Sequence, residues 1–225
     1  GKPVGFKLCV GRRSDFLAVC KAMRATGITP DFIIVDGSEG GTGAAPLEFE
    51  DHMGMPLTDA LTFVHNALIG TRLREHIRIG ASGKVASGAD IVKRLIQGAD
   101  YTNSARGMMM ALGCIQSQRC HTNNCPVGVT TQDPKRTRAL VVADKAERVR
   151  RFQQETIRSA NALIAALGVT DPADLVPNML VRRTDDQHLQ RFRQIHHHLE
   201  PGQLLDDPPQ WWAAPWRQAV ADRFT

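Results

Sequence analysis

Aromatic residues are scarce in this chain: eight Phe, three Trp and a single Tyr among 225 residues. A protein that holds single-stranded nucleic acid on stacked rings needs more of them, so that class is disfavoured. Long apolar runs are missing as well; none approaches the roughly 18 residues that signal a membrane-spanning helix. The opening segment GKPVGFKLCVGRR contains no apolar core of a secretory signal, and the chain is read as cytoplasmic. A strong surplus of one charge is also lacking, since 28 basic and 23 acidic side chains leave a net +5. Residues 1–132 carry 14 basic and 11 acidic groups, and residues 133–225 carry 14 and 12. A nucleic-acid binder would concentrate its positive charge on one stripe. The Arg-Arg pairs at 12–13, 150–151 and 182–183 therefore read as solvated faces or helix ends.

What the chain does have is an ordinary globular composition and an alternation of short apolar runs with amphipathic segments. Gly5–Val10 reads as a strand and Asp15–Ala25 as a helix capped by Ser14. Phe32–Val35 is a strand of unbroken apolar character, as expected when both faces are buried. A Gly-rich loop follows, then a helix from about Thr58 to Glu75, a strand at Ile77–Gly80, a helix near Gly88–Gln97 and a fourth strand at Tyr101–Ser104. Strand then helix, four times with no hairpin signal, predicts parallel β/α units: a small doubly wound sheet or half of an eight-fold barrel. Past Asp133 the strands are expected to stop. Asp144 and Glu147 read as a capping box for a helix running to Gly168, and one more helix is expected around Asp186–Leu199.

Three stretches carry chemistry. Asp36–Gly43 follows a buried strand at its C-terminal end, where parallel α/β proteins place ligand loops. Its glycines permit close approach of the backbone to a ring or phosphate, although it is neither a P-loop nor a dinucleotide fingerprint. The second stretch pairs Gly80-Ala-Ser-Gly-Lys84 with Asn103-Ser-Ala-Arg-Gly107 one unit later. Each joins a strand end to a helix start through small residues, a phosphate grip when two such loops are adjacent; the plainer alternative is helix capping by Ser82 and Ser104. The third is Cys114-x5-Cys120-x4-Cys125-Pro126, three of only five cysteines. The spacing is not that of a structural zinc site or of a bacterial ferredoxin. Thiolates select zinc or iron–sulfur, and tetrahedral zinc would need a fourth ligand such as His121, which tilts the choice to iron–sulfur.

PDFIIVDGSEGGTGAAPLEF (30–49), IRIGASGKVASGADI (77–91) and NSARGMMMALGCIQSQRCHTNNCPVGVTTQDP (103–134) together resemble the FMN-binding domain of the glutamate synthase family. LEPGQLL (199–205) is similar to its stand-alone branch, which includes N-methylglutamate synthase-like subunits. The resemblance implies an α/β fold, the C-terminal half of a (β/α)8 TIM-type barrel over residues 1–132, with a helical C-terminal extension over 133–225. It implies FMN at the C-terminal strand ends beside a [3Fe–4S] cluster ligated by Cys114, Cys120 and Cys125. Gly40, Gly41, Thr42 and Gly43 would line the flavin and substrate side, and Gly83, Lys84, Asn103, Ala105 and Arg106 would surround the flavin phosphate. Lys7 matches a lysine that reaches the flavin and the 2-oxo acid. Ser38-Glu39 stands where the large enzymes show His-Asp, and Ser82-Gly83-Lys84 where they show Asp-Gly-Gly; Glu39 keeps an acidic charge for proton or amine handling.

The implied reaction is reduction of a 2-iminoglutarate, formed from 2-oxoglutarate and ammonia or an amine, to glutamate or an N-substituted glutamate. The implied partners are an electron-donor protein or subunit and an amidotransferase subunit. Two other readings are an inosine-monophosphate dehydrogenase-type barrel, against which the three-cysteine spacing argues, and a non-catalytic metal-binding assembly module. A closed barrel takes roughly 250 residues, so the chain is expected to be the C-terminal part of a larger flavoenzyme. Trp211, Trp212 and Trp216 are expected to pin the tail to the barrel, His196–His198 to be plain helix residues, and Met108–Met110 to fill space beneath the cysteine loop.

Overall fold

A computed structural model of the chain describes residues 1–37, 48–49 and 52–224. Four strands, β1 (Gly5–Cys9), β2 (Phe32–Asp36), β3 (Arg78–Ser82) and β4 (Tyr101–Asn103), form one all-parallel sheet in the order β1-β2-β3-β4. Helices α1 (Arg13–Thr26), α2 (Leu57–Gly70) and α3 (Gly88–Ile96) connect them, and α4 (Arg106–Leu112) follows β4. A doubly wound sheet reverses its strand order and covers both faces. Here the order never reverses, and α1 and α2 bury Phe16, Leu17, Leu57, Leu61 and Leu68 in one core with Ile33, Val35, Ile79 and Ala81. The helices therefore lie on one face, the half-barrel alternative. Each buried Leu, Ile, Val or Phe among them contributes about 1.5–3 kcal/mol.

The alternate strand residues point to the other face, which is less covered. Lys7 and Cys9 are exposed, and Ile34, Asp36, Ser82, Tyr101 and Asn103 are half-buried. Gly80 on this face is required by its neighbour, because a Cβ there would lie 2.6 Å from the Tyr101 ring.

Beyond the sheet lie α5 (Pro134–Thr137) and the long α6 (Val142–Ala166). Ala160 and Ile164 of α6 pack with Val92 and Ile96 of α3. Gly88 allows that crossing, since a Cβ there would strike the Ala160 backbone. The remaining elements are β5 (Val181–Arg183), β6 (Leu189–Arg191), α7 (Phe192–Ile195), α8 (Gln203–Asp206) and α9 (Gln210–Gln218). The tail docks on α2: Leu199 N–H donates to Oδ1 of buried Asn66 (2.8 Å) and Gly202 N–H to the Ile69 carbonyl (3.1 Å). Leu199 and Leu204 fill the space over Gly70. Trp212 is buried and stacks on Phe63 with centroids 5.0 Å apart, and Lys21 lies 4.4 Å from the Trp216 ring, so these two tryptophans do anchor the tail. Trp211 is half-exposed beside His197.

Several local expectations are corrected. Ser14 is not a cap; α1 starts two residues earlier than expected, at Arg13 behind Arg12, and Ser14 is buried inside it. Asp144 and Glu147 form no capping box: Val141 precedes α6 without a side-chain cap, and Glu147 pairs with Arg150 and Arg151. The helix expected at Asp186–Leu199 is instead the second half of a β5–β6 antiparallel hairpin followed by short α7, so strands do occur past Asp133. His196 accordingly follows the end of α7 rather than lying within a long helix. Among the described residues no helix is long and apolar enough to cross a membrane.

Candidate functional site at the strand ends

Strand register sets Cys9, Asp36, Ser82 and Asn103 level with one another at the C-terminal rim. Lys7 lies two residues below Cys9 on the same face, and its Nζ reaches across to Asp36 Oδ2 at 2.5 Å. The Lys7 side chain remains half-exposed while that of Asp36 is mostly buried. Just beyond the rim, Gly37 N–H donates to the Ser82 carbonyl at 3.0 Å, and a Cβ on Gly37 would collide with Leu57. Gly83 (φ +143°) and Lys84 (φ +48°) then make a left-handed turn, unusual for the lysine and held by buried Val85 after it. Just ahead of α2, Met55 N–H donates to the Val10 carbonyl at 2.8 Å, beside the end of β1.

The two loops expected to grip phosphate are joined directly. Ser104 Oγ donates to the Val85 carbonyl at 2.7 Å, and Gly107 is kept small by that same hydroxyl. Gly83, Lys84, Asn103, Ala105 and Arg106 thus belong to one corner of the rim. Neither serine caps as the plainer reading supposed: Ser82 ends β3, and Ser87 caps α3 in a box with Asp90. Hydrogen bonds from Ser87 and the Ala86 and Ser87 amides hold the Asp90 carboxyl below its usual range despite the opposing burial. Glu39, Gly40, Gly41, Thr42 and Gly43 lie outside the described residues.

After α4 ends at the left-handed Gly113, the cysteine segment begins. Cys114 Sγ accepts the Gln116 N–H at 3.4 Å. Cys120 opens a single helical turn to Thr122. Cys125 is buried; burial opposes its ionisation, but the N–H groups of Thr130, Val127 and Val129 outweigh that and bring the thiol down to about 7. Asn123 clasps the end of the segment, its Oδ1 accepting Gln132 N–H at 2.8 Å. Soft thiolates with backbone donors on sulfur are the chemistry of an iron–sulfur ligand set. Among the described residues, however, no three His, Cys, Asp or Glu side chains are gathered as a metal site. Cys20 is of another kind, fully buried with its thiol pushed up to about 12.

A cavity of about 840 Å³ lies at the opposite, N-terminal end of the strands, lined by Asp31, His65, Arg74, Arg78, Asp100 and Tyr101 among others. Its central cation is spent internally: Arg74 donates to His65 Nδ1, the Ile77 and Gly98 carbonyls and Asp100. Conserving structure rather than performing chemistry is the usual work of this end. Burial, then Arg74 and His198, push His65 down to about 4, against the smaller opposing pull of Asp100. Since the unfolded value is near 6.5, neutral His65 favours folding fully above that pH, and the benefit is lost as pH falls toward 4. We expect a loss of at most ~3 kcal/mol over that window, partly removed in His65→Gln, as read by denaturant unfolding at neutral and acid pH.

Sequence reasoning missed the role of Asp36, which appears there only as the first residue of the Gly-rich stretch. Its partner Lys7 is 29 positions away, and only the parallel register brings the two together.

Residues 1–170 match the family described as the conserved region in glutamate synthase. The chain belongs to the glutamate synthase family. It is 42% identical over 185 residues to the glutamate synthase large subunit-like protein YerD of Bacillus subtilis, covering 82% of this chain and 35% of that protein. It is 34% identical over 177 residues to the archaeal glutamate synthase (NADPH) of Methanocaldococcus jannaschii, covering 79% and 34%. The chain thus spans about a third of the length of these relatives. The flavin-binding domain of baker's yeast flavocytochrome b2 superposes with a TM-score of 0.47 at 16% identity, over 83% of this chain and 38% of that one. That likeness is too loose to carry an inference.

Proposed function

We propose that this chain forms the C-terminal half of an FMN-binding barrel (residues 1–132) with a helical extension (133–225). It would serve a glutamate synthase-type oxidoreductase that reduces 2-iminoglutarate, from 2-oxoglutarate and ammonia or an amine, to glutamate or an N-substituted glutamate. Family membership supports the reaction class. The observation that carries the reading is the strand-end rim, where a half-exposed lysine, a left-handed Gly-Lys turn and two fused loops converge.

FMN would supply hydride chemistry, and a [3Fe–4S] cluster single-electron transfer. The residues that would hold the flavin phosphate are Gly83, Lys84, Asn103, Ala105 and Arg106: Gly83 and Ala105 are small enough for backbone amides to approach an anion, and Lys84 and Arg106 would add positive charge. Cys114, Cys120 and Cys125 would hold the cluster, a role supported by their donor chemistry and by resemblance. Gly40, Gly41, Thr42 and Gly43 on the substrate side, and Glu39 in proton or amine handling, rest on resemblance alone. Lys7 Nζ, positively charged and open to solvent on one side, is suited to hold a substrate carboxylate or to stabilise negative charge at the rim. Its partners would be an electron-donor protein or subunit and an amidotransferase subunit delivering ammonia.

Lys7→Met is the test. Losing a preorganised charge at a reaction centre costs about 10²–10³ in rate, so turnover should fall by about that much while flavin content stays at the wild-type level. Full turnover with flavin bound would remove Lys7 from the mechanism.

A further inference from the structure

We propose that Asp36 is a positioning residue, the clamp that fixes the Lys7 ammonium at the rim; this rests on the function proposed above. Lysine is a compact charge on a flexible four-carbon stem, and holding it in one place costs rotamer entropy. On the sheet face Lys7 lies level with Ile34 of β2, whose side chain offers no polar atom, and among the described strands β1 has no second neighbour. What stops the stem from swinging is the diagonal partner one pair further along, Asp36, at 2.5 Å.

Asp36 is itself held by its setting. It is the last residue of β2, level with Cys9 on one side and Ser82 on the other. The next residue is tied down by the Gly37 N–H to Ser82 carbonyl bond and by the contact of Gly37 with Leu57. Its side chain is mostly buried whereas the lysine is half open. The geometry therefore has a fixed carboxylate inside and an ammonium facing outward with donors left for an incoming anion. In this proposal Asp36 acts through Lys7, by holding its ammonium in place.

Two measurements on the full-length protein test the clamp. The first needs no ligand. In pulse labelling with acetic anhydride followed by peptide mass spectrometry, Lys7 should be modified several-fold faster in Asp36→Asn than in the wild type, with Lys2 and Lys84 unchanged. Equal Lys7 labelling in the two proteins overturns the proposal. The second is a double-mutant cycle on the dissociation constant of 2-oxoglutarate, read from the perturbation of flavin absorbance. Asp36→Asn and Lys7→Met should each weaken binding about ten-fold, and the double variant should bind no worse than Lys7→Met. Asp36→Glu should recover part of the loss. Effects that simply add would show that Asp36 acts independently of Lys7 and would overturn the proposal. Faster labelling together with a wild-type protein that binds no flavin would uphold the clamp and overturn only the functional reading on which its purpose rests.

Discussion

Cys125→Ser in the anaerobically purified protein should reduce iron–sulfur absorbance to background and cut donor-driven turnover by at least ~100-fold, with flavin retained. The size follows from the ligand's role, since loss of even an outer partner of a metal ligand costs 10–100-fold. Cys125 is the sharpest choice of the three. It is buried, and the converging N–H groups of Thr130, Val127 and Val129 already favour its thiolate. Serine preserves the shape but not the soft sulfur that selects iron. Cys114→Ser and Cys120→Ser should behave alike, because a cluster held by three ligands on one segment would have none to spare. Cys20→Ala is the control: that thiol is buried among Phe16, Leu17 and their neighbours, and its loss should leave cluster content unchanged. Retention of the iron–sulfur signal in all three serine variants would contradict the assignment.

Trp212→Ala should destabilise the protein by about 3–5 kcal/mol, the cost of emptying a large aromatic site in a core. For a chain of this size that lowers the melting temperature by on the order of 10 °C. The ring is buried and lies parallel to Phe63 at 5.0 Å, and Phe63 meets Phe16 edge-on at 6.0 Å, so one stack connects α9, α2 and α1. Lys21 secures the same corner, its ammonium donating to the Trp216 and Ala219 carbonyls at 2.7 and 2.8 Å, where the end of α9 presents acceptors. Trp211→Ala, at a half-exposed position, should cost within ~0.5 kcal/mol. Thermal melts of the two variants check the contrast. Equal melting temperatures would show that the stack does not hold the tail.

The β/α units were legible in the sequence because each strand is a short apolar run and each helix carries an apolar stripe, as in Phe32–Val35 and Leu57–Leu68. The rim was legible through its glycines: at Gly37 a Cβ would strike Leu57, and Gly83 takes a backbone φ of +143° that favours glycine. The tail was not. β5 and β6 are three residues each and wholly exposed, so no apolar alternation marks them. Their turn is closed by the Asp185 carboxylate, which accepts Gln187 N–H and His188 N–H, a local bond rather than a pattern. Ser14 misled for a related reason. A serine before Asp15 looks like a cap, but burial of Ser14 against the core moves the helix start back to Arg13. The Lys7–Asp36 pair was beyond reach for a third reason, since it is a tertiary contact between adjacent parallel strands separated by a full α1 crossover.

The most direct test of the central claim is the absorption and electron paramagnetic resonance spectrum of the wild-type protein purified without oxygen and then oxidised mildly. The account predicts flavin bands over a broad iron–sulfur shoulder, and a paramagnetic oxidised signal of a three-iron cluster that disappears on reduction. A colourless protein, or one carrying stoichiometric zinc and no flavin, would contradict it.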